Sequence, residues 1–404
     1  MPGLDGQTFK NVLVNEVAFS FSRGCIMVFG KYFIALLGLF ACVANAEPAT
    51  PDQPQVTFGG FGSLGVSHST MSSGDYVLDG GIPKGPGLSD YLSTANDSRI
   101  AGHMAAQMSP AVSVVMQIDA EYHAGNSYEP EVEFANVKYV LAPDIYTRVG
   151  RFALPTFLDS ENRDIGYTYA WIHPPVEVYR QEQITHNDGV DVNYRLQTGA
   201  VGHSIKAIYG RTTIATNDPP ALTTLSSKHL WGIFDTAEFG PTTIHAGYQE
   251  RDTNSGYILT GQAGTWVKDS DLSFGVQYDP GNWFAISEWI QRKSTYKTSA
   301  MYVSAGYRMN KLTPYLTYAL SNQGSFLSGF PPPSPDGIRL ATRAQSTASM
   351  GVRWDFRRDI DFKFQLDQVK LSDNSNGFLA NVPANVSLYG SKFYVISAVV
   401  DFIF

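Results

Sequence analysis

Cysteine is almost absent. The two present, Cys25 and Cys42, both fall in the first 46 residues, so residues 47–404 offer neither a disulfide nor a thiolate metal site. No apolar run reaches the roughly 20 residues that a membrane-spanning helix needs; the longest lies near Phe33–Ala44. Charged residues are sparse, at 16%, and lean acidic: 37 Asp and Glu stand against 29 Lys and Arg. Binding a polyanion needs a positive field, so the net charge of −8 argues against nucleic acid as a partner. The eight histidines show no paired metal-ligand spacing. No phosphate loop and no GxSxG elbow occurs, and Asp373–Gly377 lacks the full ligand pattern of a calcium loop. Neither a metal, a cofactor nor an enzymatic activity is expected.

Glycine and tyrosine are plentiful instead, at 37 and 22 residues, which suits many strands, tight turns and interfacial aromatics. The single apolar run reads as a secretory signal. Met27-Val-Phe-Gly-Lys31 gives a short basic start, Phe33–Val43 the apolar centre, and Ala44-Asn45-Ala46 a small-residue cleavage site. The expected division is an upstream extension over 1–26, a signal peptide over 27–46 and one folded body over 47–404.

Beyond Glu47 the dominant signal is alternation. Ile100, Gly102, Met104, Ala106 and Met108 alternate with Arg99, His103 and Gln107. After Ser109-Pro110-Ala111, the residues Val114, Met116, Ile118 and Ala120 alternate with Gln117, Asp119 and Glu121. Successive strand side chains point to opposite faces, so this is a hairpin with one apolar and one polar face. An Arg or Lys facing lipid at mid-membrane costs about 2–4 kcal/mol. The apolar set is therefore expected against lipid and the polar set, with Asp119 and Glu121, against a wet interior. The pattern recurs along the chain. Tight turns such as Ala142-Pro143-Asp144, Phe239-Gly240-Pro241, Pro280-Gly281-Asn282 and Arg357-Arg358-Asp359 alternate with long loops near 69–96, 154–183, 212–227, 321–344 and 372–391. About sixteen strands result, an even number as a membrane barrel requires, with short periplasmic turns and long external loops. Two strands are untidy: Leu230–Glu238 carries charge on both parities, and Trp283–Arg292 is apolar on both faces, so each is expected to hold a bulge or face another subunit.

The final strand, Lys392–Phe404, sets Tyr394, Ile396, Ala398, Val400, Phe402 and Phe404 on one face. With its terminal Phe it resembles the closing strand of bacterial outer-membrane barrels. Asp97-Ser98-Arg99-Ile100-Ala101-Gly102, Val149-Gly150-Arg151, Arg163-Asp164-Ile165-Gly166-Tyr167 and Pro174-Pro175-Val176-Glu177, in that order, resemble the general, sixteen-stranded Gram-negative porins. The resemblance implies an all-β transmembrane barrel in the outer membrane whose third loop folds into the lumen and narrows it. It also implies a homotrimer in contact with outer-membrane lipid and lipopolysaccharide, passing small hydrophilic solutes. On that likeness Arg99 and Arg151 are wall arginines, with Arg148 on the opposite parity, and Asp159, Glu161 and Asp164 are loop acids with Arg163 among them. Alternation alone adds Arg195, Arg308 and Arg353 to the lumenal candidates. Opposed charges across a narrow wet gap would orient polar solutes and select ions. The leading expectation is a passive diffusion channel; the alternatives are a channel selective for an anion, sugar or dicarboxylate, and behind it a barrel enzyme or adhesin.

Overall fold

A computed structural model describes residues 54–218, 221–257, 262–326 and 343–404. The proposed start, signal peptide and cleavage site, and most of the 321–344 loop with its prolines, lie outside the described residues. Sixteen long antiparallel strands form one closed sheet, and a two-residue strand, Gln262–Ala263, adds to one hairpin tip. In chain order the strands are β1 (Gln55–Ser69), β2 (Arg99–Ser109), β3 (Val112–Glu121), β4 (Glu131–Ala142), β5 (Ile145–Ala153), β6 (His186–Thr198), β7 (Val201–Asp218) and β8 (Ala221–Phe239). There follow β9 (Thr242–Tyr257), β10 (Val267–Tyr278), β11 (Trp283–Lys293), β12 (Tyr296–Tyr307), β13 (Leu312–Phe326), β14 (Gln345–Arg357), β15 (Ile360–Leu371) and β16 (Lys392–Ile403). Each pairs with its sequence neighbour, and β1 pairs with both β2 and β16, which leaves no edge.

The alternation predicts the faces. Leu64, Val149, Ile233 and Leu316 stand on the outer surface, each more than half exposed. Their strand neighbours Ser63, Arg148, Phe234 and Thr317 point inward. The seam closes through Phe404: its N–H donates to Gly60 O at 2.9 Å and its C=O accepts from Gly60 N at 2.8 Å. Its ring covers Gly60, where a Cβ would lie 2.4 Å from the ring's Cζ. Removing Phe404 deletes two seam hydrogen bonds, worth about 1–3 kcal/mol together. A chain ending at Ile403 is expected to refold in detergent with a lower yield of heat-modifiable barrel on a gel; an unchanged yield would show that the seam does not depend on this residue.

Residues 212–227 are not a loop. Thr212–Asp218 and Ala221–Ser227 continue β7 and β8 as a paired hairpin, with Thr213 opposite Ser226 and Ile214 opposite Leu225. Asn217-Asp218-Pro219-Pro220 is a strong turn signal, yet Asn217 and Asp218 are still paired in the ladder, opposite Leu222 and Ala221; the flanking β-branched Thr and Ile residues fit the pleated sheet. The doubly charged strand holds a bulge: Lys228 faces Asp252 and Trp231 faces Glu250, so three residues' advance on β8 meets two on β9.

Candidate pore constriction

Residues 154–185 leave β5 and return to β6 through the inside of the barrel. Two prolines, Pro174 and Pro175, precede one helical turn over Val176–Tyr179, and the fixed φ of Pro175, −57°, sets its entry. An apolar core holds this segment to one wall. Phe157, Tyr169, Trp171, Val178 and Tyr179 pack on Phe284, Ile286, Ile290, Tyr302, Tyr315 and Ala319 of β11–β13. This is why Trp283–Arg292 is apolar on both faces: one lies on the outer surface of the barrel, the other meets the infolded loop.

Polar anchors extend the attachment around the lumen. Glu288 on β11 is 1% exposed and accepts from Leu158 N at 2.7 Å and from the hydroxyls of Tyr179 and Tyr302, each at 2.8 Å. Arg353 on β14 gives its Nη1 to the carbonyls of Tyr167 (2.5 Å) and Tyr169 (2.7 Å), and pairs with Asp361 at 3.1 Å. Lys363 on β15 donates to Gly166 O at 2.6 Å and pairs with Asp401 at 2.8 Å. Gly166 passes so close to the wall that a Cβ would lie 2.2 Å from Asp401 Oδ1. Glu182 near the loop's end pairs with Arg251 on β9 at 2.7 Å. Arg180 donates through Nη1 to Val77 O (2.9 Å) and Phe378 O (2.6 Å), tying the infolded loop to the 70–98 and 372–391 loops that fold over this end. Burial, with Arg343 nearby, draws the Arg180 guanidinium down to about 9, so it keeps its charge at neutral pH.

The loop tip crosses to the opposite wall and is held there by ion pairs. Asp164 meets Arg99 on β2 at 2.5 Å, and Arg99 also reaches Glu121 on β3 at 3.2 Å. Glu161 meets Lys206 on β7 at 2.6 Å and Arg148 on β5 at 3.3 Å; Arg148 is braced by Asp191 at 2.6 Å. Lys206 foremost, then Arg148, holds the Glu161 carboxyl down at about 2, so it is ionised wherever the chain is folded near neutrality. The expected wet gap between loop acids and wall bases is therefore closed at both of these points. Between them the wall of β3 and β4 presents half-buried Glu133, with Asp119 buried nearby, neither in an ion pair among the described residues, and the loop presents Arg163, whose guanidinium lies 5.8 Å over the Tyr179 ring.

Several expected positions change. Arg151 is not on the inner wall. Its neighbour Phe152 is buried in the lumenal cluster with Leu154, Ile184 and Ile208, while Val149 faces out, so the alternation turns Arg151 to the outer surface. There it pairs with Asp188 at 2.7 Å, and Arg148 takes the inward place. Asp159 is buried, its carbonyl accepting from Asn162 N at 3.0 Å. Arg195 and Arg308 lie at the short-turn end: Arg195 N donates to Asp144 O at 2.8 Å, and Arg308 binds Asp279 through both Nη atoms at 2.7 Å. Arg353 is spent on holding the loop. Lys206 and Glu288 were missed, although each is a charge in the middle of a strand, where lipid is forbidden and an inward face is required.

The two arginines can be told apart. Arg148→Gln is expected to shift the reversal potential in a salt gradient, because it removes charge beside Glu161. Arg151→Gln is expected to leave it unchanged; the opposite pattern would reverse the assignment of faces.

No family model and no curated protein matches this sequence. Solved structures do. The anion-selective porin from Comamonas acidovorans aligns with TM-score 0.55 and 14% identity over 87% of this chain and 100% of that one. The outer membrane channel DcaP of Acinetobacter baumannii aligns with TM-score 0.52 and 12% identity over 89% and 100%. OmpT, an outer membrane protein of Vibrio cholerae, gives TM-score 0.52 and 12% identity over the same shares. At such identities the likeness is one of fold: a closed sixteen-stranded barrel of the outer-membrane porin type.

Proposed function

We propose that the chain is an outer-membrane channel for passive diffusion of small hydrophilic solutes and ions. The supporting observation is the loop tip bound across the lumen at Glu161 and Asp164, with the polar sector of β2–β5 beside it. The apolar core assigns the β11–β13 side to packing. The passage then runs between the β3–β4 wall and residues 161–164. Its field has a sense opposite to the one expected from sequence: the acid Glu133 on the wall, the cation Arg163 on the loop. An unpaired acid beside the passage favours cations. Trimeric assembly in lipid belongs to the same reading; one of the solved OmpT structures is described as a trimer form.

Reversal potential across a planar bilayer tests this. In a tenfold KCl gradient the protein is expected to pass cations preferentially, and Glu133→Gln to move the potential toward that of anions by several millivolts or more. A wild-type preference for anions would reject the proposed lining, and an absence of current would reject the channel.

A further inference from the structure

The outer wall carries a second feature, remote from the lumen. Strands β5–β8 enclose an open cleft of about 530 Å³. Its apolar part is Val149, Val190 and Tyr209, all outward and well exposed; its polar rim is Asp188, Arg211, Lys228 and His229. Ten residues separate Arg211 from Val201 at the short turn. That is about 33 Å of strand, or about 25 Å along the barrel axis at a tilt near 40°, which is the height of the apolar band. The rim thus sits where the lipid tails end and the headgroups begin, on the long-loop side.

The rim is produced by the β8 bulge. Leu230 and Phe234 face the lumen on one side of it, and Ser227 does so on the other, so the inward parity changes from even to odd. His229 takes φ +50°, a left-handed conformation that a non-glycine residue adopts at a cost. The result places Lys228 and Trp231 on the same outer face, which uninterrupted alternation forbids. Some charges are matched: Arg151 pairs with Asp188, and His229 with Asp252 at 2.9 Å. Arg211 and Lys228 have no carboxylate within 4 Å among the described residues, and Lys228 lies 4.0 Å over the Trp266 ring.

We propose that this cleft binds the phosphate-bearing headgroup of an outer-leaflet lipid, with the phosphate at Arg211 and Lys228 and an acyl chain along Val149, Val190 and Tyr209. Charge complementarity selects the headgroup, and the depth of the rim selects a lipid over a soluble anion. The site requires that the barrel span the outer membrane, but not that it conduct.

Native mass spectrometry of the detergent-solubilised full chain, titrated with bisphosphorylated lipid A and separately with phosphatidylcholine, tests it. Wild type is expected to retain lipid A, and Arg211→Gln with Lys228→Gln to retain it about thirtyfold more weakly, at roughly one surface contact's worth per cation. Phosphatidylcholine binding is expected to be weak and equal in both. The charge-keeping pair R211K with K228R is expected to bind like wild type. Should the double Gln variant fail to form a heat-modifiable barrel, Lys228→Gln alone gives the comparison. Equal retention of lipid A by wild type and variant would overturn the site, as would its displacement by millimolar inorganic phosphate. Loss of subunit association with lipid retention unchanged would also overturn it, by making the cleft a contact between copies. Unchanged single-channel conductance in the variant separates this result from the channel reading.

Discussion

Excising residues 158–181 and joining the ends with a short Gly-Ser link is expected to raise single-channel conductance at least about twofold, because a sixteen-stranded barrel without an infolded segment encloses a wide aqueous lumen. The excised stretch supplies Tyr169, Trp171, Val178 and Tyr179 to the lumenal core and Glu161 and Asp164 to the far wall. Its anchors span β2 to β15, so no other single deletion frees as much cross-section. Selectivity should fall with it, since the passage would lose Arg163 and its closed ion pairs. Barrel assembly is expected to persist, because closure depends on the strand ladders and the seam at Gly60 and Phe404. A conductance equal to wild type would mean that the loop does not limit the current.

Glu288→Ala is expected to loosen the loop without removing it. Three donors converge on this carboxylate in an apolar surround: Leu158 N and the hydroxyls of Tyr179 and Tyr302. Each donor left unsatisfied and buried costs about 1–3 kcal/mol. Taking about 3 kcal/mol for the set, local opening of the loop becomes more frequent by about two orders of magnitude. Trypsin should then cut at Arg163 or Arg180 about a hundredfold faster than in wild type, and current traces should show added closures. Glu288→Gln keeps an acceptor oxygen and should fall between. Equal cleavage rates in all three proteins would remove Glu288 as a loop anchor.

How much of this was legible depends on which physical signal was strongest locally. The strands were, because lipid on one face and water on the other impose a period of two that charge cannot break cheaply. Lys392–Phe404 and the Arg99–Glu121 hairpin show it cleanly. The 212–227 hairpin is hidden in the sequence because Asn217-Asp218-Pro219-Pro220 looks like loop chemistry, while the Thr and Ile residues beside it extend the ladder. For Arg151 the motif Val149-Gly150-Arg151 and the parity from Val149 through Phe152 point to opposite faces, and the parity decides. The anchoring residues are harder to find. Which loop group meets Glu288, Arg353 or Lys363 is fixed by a fold-back across the lumen, with partners more than a hundred residues apart. The bulge at Lys228–Trp231 left only a trace in sequence, the charge on both parities of Leu230–Glu238.

The faces of β2 give the most direct test of the central claim, that solutes cross a wet lumen lined by one parity while the other meets lipid. With Cys25 and Cys42 replaced by Ser the chain holds no other cysteine, so a single engineered thiol reports its own surroundings. His103 and Met104 are adjacent, the first on the inward parity with Arg99 and the second on the outward parity. With His103→Cys, a charged, membrane-impermeant methanethiosulfonate reagent is expected to reduce single-channel current, and with Met104→Cys to leave it unchanged. An unresponsive His103→Cys channel, or equal block of both, would contradict the account.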